Sequence, residues 1–334
     1  MTSTRTTPPA EPDVATATES TRRRRIPLGQ DLGLFLVLIA LVVGFSIASP
    51  YFLTASNLTN VLQSVAIIGV MAALMTLVLV AGALDLSVGS IAAVAGIVSA
   101  TLVISGWHPL LAFAVALATG AGAGAVNGFA VVGLRINPII VTIGTLALFR
   151  GIAFVLSDGR DISVLDPMSE GLAFERWLYL PVTVWLMLAV FALVWWFARF
   201  TTGGRAVYAV GANPRAARLA GLPVERTRFL VMVASGTTAA LAGVLLNAQS
   251  GSAVPAAATG YELQVLTAVL IGGTSLVGGA GRVSMTLVGV LIIGVINNGM
   301  TLLSVPSYYQ TIAGGALLVL AVALDQARRG TGYR

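Results

Sequence analysis

The 334-residue chain is 57% hydrophobic and 10% charged, where an ordinary soluble domain carries about 25% charged residues. It has no cysteine and one histidine, which excludes disulfides, thiolate chemistry, iron–sulfur ligation and a zinc site. Its net charge of +6 comes from arginine alone; without lysine there is no G-x-x-x-x-G-K-[ST] phosphate loop, so any nucleotide hydrolysis that powers the chain belongs to another subunit.

Residues 1–28 read as a disordered tail rich in Thr, Pro, Ala and Glu, ending in the run Arg22 to Arg25. The first apolar stretch, Leu32–Ala48, has a signal-peptide look, with Ser46-Ile47-Ala48 as a cleavage-like end. More apolar stretches follow it, so it reads as an uncleaved first span. Ten stretches approach the ~20 residues a membrane span needs. They are Leu32–Ala48, Leu58–Ala81, Val88–Ile104, Pro109–Gly133 and Pro138–Leu156, then Leu178–Phe197, Phe229–Ala248, Tyr261–Val277, Val283–Leu303 and Tyr308–Leu324. None alternates as a barrel strand does. The fold class is therefore all-α: a polytopic integral membrane protein of about ten transmembrane helices. One transmembrane domain is expected over 29–326, with a short tail at 327–334.

Arginine placement orients the chain. With both termini cytoplasmic, Arg22 to Arg25, Arg135, Arg199, Arg205, Arg215, Arg218, Arg226, Arg228, Arg282, Arg328 and Arg329 lie inside. The longest outer loop, Ser157 to Trp177, is acidic through Asp158, Asp161, Asp166, Glu170 and Glu175. The net positive charge thus follows membrane topology and gives no reason to expect nucleic acid. His108, beside Pro109, reads as an interfacial loop residue.

The polar island at 201–228 opens with Thr201, Thr202, Gly203 and Gly204 and runs on as RAVYAVGANPRAARLAGLPVERTR. It is the feature most open to a partner. Gly203-Gly204 reads as the end of the preceding span. Asn213 is a favoured N-cap and Pro214 suits the first helical position. Arg215 and Arg218 follow on PRAARLA, Gly221 marks the stop and Pro223 blocks continuation. One short, rigid helix is expected, lying between two spans.

Polar residues within the apolar stretches are the other candidates. Asp85 in GALDLSVG reads both as a gating carboxylate and as an N-cap accepting from Val88 and its neighbour. Arg150 reads as structural, snorkelling outward or pairing with a carboxylate of the acidic loop. Ser87, Asn127, Asn137, Thr142, Gln249, Tyr261, Glu262, Asn297 and Asn298 are uncharged hydrogen-bonding groups, or, for Glu262, a carboxylate, that suit a path for a hydrated neutral solute. Gly120, Gly122, Gly124, Gly289 and Gly294 read as close-packing positions. Gly272, Gly273, Gly278, Gly279 and Gly281 are too dense for packing alone and predict at least one broken or re-entrant segment. Gly82 to Gly89 (GALDLSVG) loosely echoes Gly272 to Gly279 (GGTSLVGG), a sign of internal repetition.

Three ordered motifs, GALDLSVGS, RAVYAVGANPRAARLAGLPVERTR and GYELQVLTAVLIGGTSLVGGAGR, resemble those of the permease subunits of ribose-type ABC sugar importers. The resemblance runs from about Asp31 to Asp325. It implies a multi-pass permease of the cell (inner) membrane that works as a homodimer or heterodimer. It implies a cytoplasmic ABC ATPase docking on Asn213 to Gly221, and an extracytoplasmic sugar-binding protein that delivers the solute. No cofactor is expected in the chain itself; ATP and Mg belong to the ATPase. Gln264 stands where such permeases often carry an acidic residue. A permease for branched-chain amino acids or nucleosides has the same architecture and is the alternative. A stand-alone ion-coupled carrier is disfavoured, because only Asp85 and Glu262 come near the spans. A membrane enzyme is disfavoured by the lack of any His, Cys or carboxylate cluster.

Overall fold

The structure, a computed structural model, describes residues 28–164 and 166–329. The expected tail with Arg22 to Arg25, residues 330–334 and the side chains of Arg328 and Arg329 lie outside the described residues. The long helices are α1 (Leu28–Ala48), α2 (Ala55–Val80), α3 (Val88–Ile104), α4 (Pro109–Val132) and α5 (Pro138–Leu156). After β1 (Ile162–Ser163), α6 (Pro167–Phe174), β2 (Arg176–Trp177) and β3 (Leu180–Pro181) comes α7 (Val182–Phe200). Then follow α8 (Thr202–Ala212), α9 (Pro214–Leu219), α10 (Val224–Ser250), β4 (Ser252–Ala253), α11 (Tyr261–Ile271), α12 (Val283–Leu302) and α13 (Ser307–Arg329).

Eight described helices are long and apolar enough to cross a membrane. The other two expected spans are shorter apolar helices: α3 has 17 residues and α11 has 11. At 1.5 Å per residue, α11 covers only about 16 Å of a hydrocarbon layer about 30 Å thick. Its expected end at Val277 moves to Ile271, because Gly272 and Gly273 stop the helix; Gly273 has φ +82. The sixth span starts at Val182 instead of Leu178, because β2 and β3 turn back as a two-residue hairpin. The last helix runs past the expected boundary at 326, to Arg329.

Membrane helices satisfy their own backbone groups, so packing and side-chain hydrogen bonds arrange them. α2 is the central helix, buried from Val65 to Val80, while α1 and α13 sit at the rim. α10 lies along α4 in the most extensive helix contact. Small residues permit it: a Cβ on Gly124 would meet Val233 Cα at 2.9 Å, and one on Gly236 would meet Gly124 N at 2.8 Å. Gly120 faces Gly236 and Ala240 in the same seam, and Gly289 and Gly294 are crowded by Ala268 and Val65. Gly122 departs from the packing expectation. Nothing lies near it, since it is on the opposite face of α4 from Gly120 and Gly124. His108 caps α4, its Nδ1 accepting from Leu110 N at 3.3 Å.

Alternation of the helices places the island, the α2–α3 connection, the α4–α5 connection and 272–282 at one end. α6 and the two small β-pairs lie at the other. Arg282 forms an ion pair with Asp31 of α1 at the island end.

Candidate coupling site and translocation path

The island folds as two helices, where one was expected. Gly203 and Gly204 do not close α7. They open α8, whose first turn is capped by Thr201 Oγ1 accepting from Gly204 N at 2.9 Å. The lack of a Cβ at Gly204 lets α8 fold back against Ala198 of α7. α9 follows after one residue. Asn213 Oδ1 accepts from Arg215 N at 3.1 Å and Ala216 N at 3.0 Å, and Pro214 takes the first helical position. At the other end Gly221 adopts φ +79. Its N–H donates to Arg218 O and Leu222 N–H donates to Ala217 O, each at 3.0 Å. That paired pattern is a Schellman stop. Arg218 forms an ion pair with Glu225, bracing α9 against the start of α10.

α8 fastens this end to the helix breaks. Gly211 packs directly on the Val80 carbonyl at the end of α2; a Cβ there would also meet Gly279 N at 2.8 Å. Gly279 N itself donates to Val80 O at 2.8 Å. A Cβ on Gly278 would meet Gly211 O and Gly82 Cα, each at 3.0 Å. The two echoing glycine motifs therefore touch each other and α8 at one point. Tyr208 Oη donates to Gly281 O at 2.9 Å. Burial raises the Tyr208 phenol above its usual pKa, with Arg282 opposing the shift, so the hydroxyl stays a donor. From α10, Arg228 Nε donates to Ala81 O at 3.1 Å. A cavity of about 330 Å³ opens beside α9, lined by Arg135, Asn137, Pro214, Arg218, Glu225 and Arg228.

Asp85 sits buried in the α2–α3 connection. Its Oδ1 accepts from Ser87 N at 3.0 Å and Ser87 Oγ at 2.6 Å, and its Oδ2 accepts from Ser235 Oγ of α10 at 2.9 Å. Asn127 Nδ2 of α4 donates to Ser87 Oγ at 2.7 Å. The expected acceptance from Val88 is thus replaced by acceptance from Ser87, which is itself the cap residue of α3. Sequence reasoning misses Ser235, since nothing in the run Ser235-Gly236-Thr237-Thr238 of α10 marks which hydroxyl meets a carboxylate 150 residues away.

The starts of α3 and α11 meet. A Cβ on Gly89 would meet Ala258 O and Glu262 Oε2, each at 2.5 Å. Glu262 thus lies beside the first turn of α3, where a negative charge is favoured by the helix dipole. Its Oε1 accepts from Gly260 N at 3.2 Å. Arg150 does not reach the acidic loop. Its Nη1 donates to Pro255 O at 2.8 Å and Ala257 O at 2.6 Å, fixing the segment that leads into α11.

The remaining polar candidates scatter. Asn298 and Asn57 exchange amide hydrogen bonds at 2.8 and 3.0 Å. Asn297 donates to Gln264 at 3.2 Å. Asn137 caps α5 at the island end, and Thr142 is buried one turn further on, donating to Pro138 O at 2.8 Å. Gln249 lies at the opposite end and donates to Gln63 O at 3.1 Å. Tyr261 opens α11.

Residues 57–322 match the family described as branched-chain amino acid transport system / permease component. The chain belongs to this permease family. The permease is 42% identical over 298 residues to the ribose import permease protein RbsC of Escherichia coli (strain K12), covering 88% of this chain and 92% of that one. It is 40% identical over 301 residues to RbsC of Bacillus subtilis (strain 168), covering 90% and 94%. It is 38% identical over 325 residues to the L-arabinose ABC transporter permease protein AraH of Azospirillum brasilense, covering 97% and 95%. No solved structure matches it.

Proposed function

We propose that the permease is the membrane subunit of an ATP-binding-cassette importer that moves a neutral monosaccharide into the cell. It sits in the inner membrane with both termini cytoplasmic, so the island end faces the cytoplasm. It pairs with a second permease copy. A separate ATPase docks on α9, through Asn213, Pro214, Arg215, Arg218 and Gly221. An extracytoplasmic binding protein delivers the sugar.

The observation that carries this reading is the rigid connection from α9 through α8 to the breaks. A short helix with both ends capped, two residues beyond Gly211, cannot move without moving Val80, Gly278 and Gly279. Gly272 and Gly273, which end α11, and Gly281, which accepts from Tyr208, belong to the same break. ATP binding between two ATPases would draw α9 and its copy together. The breaks would shift with it, and the path would switch between its outward and inward openings.

The solute class rests on charge. A zwitterionic amino acid needs both signs at its site, and an anionic solute wants a free helix N-terminus. Here the first turn of α3 already has the Asp85 and Glu262 carboxylates beside it, which disfavours an anion, and Arg150 faces Glu262 while its Nη1 holds two backbone carbonyls. Asp85, Ser87 and Asn127 serve as the joint between α3, α4 and α10. Asn137 and Thr142 border the inner opening, Gln249, Asn297 and Asn298 border the outer half, and Tyr261 and Glu262 lie between them where the start of α11 meets the first turn of α3. The similarity to ribose and arabinose permeases points the same way. Uptake of labelled pentoses, nucleosides and branched-chain amino acids by cells expressing the whole system tests it. Saturable, ATP-dependent pentose uptake is the expected result. Uptake of leucine but not of pentoses would replace the reading with the amino-acid alternative.

A further inference from the structure

The face of α2 at the outer end is polar where a span should not be. Asn60, Gln63 and Ser64 are spaced three and four apart, so they share one face. Asn60 and Ser64 are exposed. They fall about 8–14 Å along the helix from Ala55. An exposed amide at that depth, facing lipid, would cost several kcal/mol. These groups instead line a cavity of about 390 Å³, closed by Phe174 and Arg176 of the outer segment and by Gln249 of α10. That volume falls in the range of small-molecule sites, roughly 300–1,000 Å³.

Two of the amides are held in place. Gln63 Nε2 donates to Ala173 O at 3.3 Å, and Gln249 Nε2 donates to Gln63 O at 3.1 Å. Both carbonyl oxygens remain as acceptors. Arg176 brings donors only, while Asn60 and Ser64 do both. Phe174, 77% exposed, contributes an apolar ring to the lining. A second depression of about 550 Å³, lined by Ser56, Thr59, Arg176 and Tyr179, adjoins through Arg176.

We infer that this cavity is an outer vestibule that receives the sugar. Every sugar hydroxyl both donates and accepts, which matches this mixed lining. The apolar C–H side of a pyranose ring fits the Phe174 ring. No carboxylate lines the cavity, so nothing there pairs with the ammonium of an amino acid. The inference rests on the import reading above and names where the solute enters.

The absence of native cysteine supplies the test. In the complete importer in membrane vesicles, Ser64→Cys and Asn60→Cys are exposed to a membrane-impermeant methanethiosulfonate from the outer side. Val126→Cys, on the exposed side of α4, is the lipid-facing control. Both vestibule thiols are expected to react while the control does not. D-ribose or L-arabinose at saturating concentration should slow the reaction several-fold, and leucine should not. Absent reaction, or reaction at a rate that no sugar changes, overturns the vestibule. So does stronger protection by a sugar acid than by the neutral sugar, which would assign Arg176 to a carboxylate. Failure of the unmodified importer to take up any pentose would instead overturn the import reading.

Discussion

Gly211→Ala is the most searching single change. The added methyl meets the Val80 carbonyl and Gly279 N, the latter at 2.8 Å. Ordinary contact begins at 3.4 Å, so α8 must withdraw by at least 0.6 Å (3.4 − 2.8) from Gly279 alone. The displacement loosens the Gly279 N to Val80 O bond, worth about 1 kcal/mol. Overpacking adds about 1–3 kcal/mol. The total, about 2–4 kcal/mol, falls where α8, α2 and the 272–282 segment meet. The assay is the ratio of sugar moved to ATP hydrolysed in the reconstituted importer, with thermal stability alongside. The variant should lose stability and turn over ATP with a reduced yield of transport. Gly122→Ala is the control, since that face of α4 is open and alanine favours a helix by about 1 kcal/mol. If Gly211→Ala matches the parent in both yield and stability, α8 is not tied to the breaks as argued.

Asn213→Ala removes both acceptor contacts that start α9 and should weaken that helix by about 0.5–2 kcal/mol, read as reduced ATPase co-purification. Paired Arg215→Glu and Arg218→Glu should abolish co-purification and uptake while the permease still reaches the membrane; unchanged co-purification moves the docking site elsewhere. Asp85→Leu leaves Ser87 N–H and the Ser87 and Ser235 hydroxyls without their acceptor. At about 1–3 kcal/mol for each buried unmet group, the variant should melt well below the parent, whereas Asp85→Asn should keep most of the stability. Arg150→Leu frees the Pro255 and Ala257 carbonyls and should speed hydrogen exchange across 254–260, with little change elsewhere.

What the sequence disclosed follows from what local chemistry encodes. Spans such as Val182–Phe200 are legible because nearly every residue is apolar. α9 is legible because its limits are written in Asn213, Pro214 and Gly221. α8 is hidden for the opposite reason. RAVYAVGA has no capping box and one charge, and Gly203-Gly204 looks like an ending; the pair serves close approach to α7. The glycine echo is visible along the chain, but the contact of Gly82 with Gly278 is not, because contact across the fold leaves no mark in one sequence. Tyr208, Arg228 and Ser235 are unreadable for the same reason: each bonds a group 73 to 150 residues away. Asn60, Gln63 and Ser64 go unread although they leave a mark: polar residues three and four apart on an apolar helix share one face.

External energy entering through α8 and α9 can be checked in sealed proteoliposomes by the ratio of internal to external pentose. With the permease alone the ratio should not exceed unity under any imposed proton or sodium gradient. Adding the ATPase, the binding protein and ATP should raise it well above unity. Accumulation by the permease without its ATPase would contradict the mechanism outright.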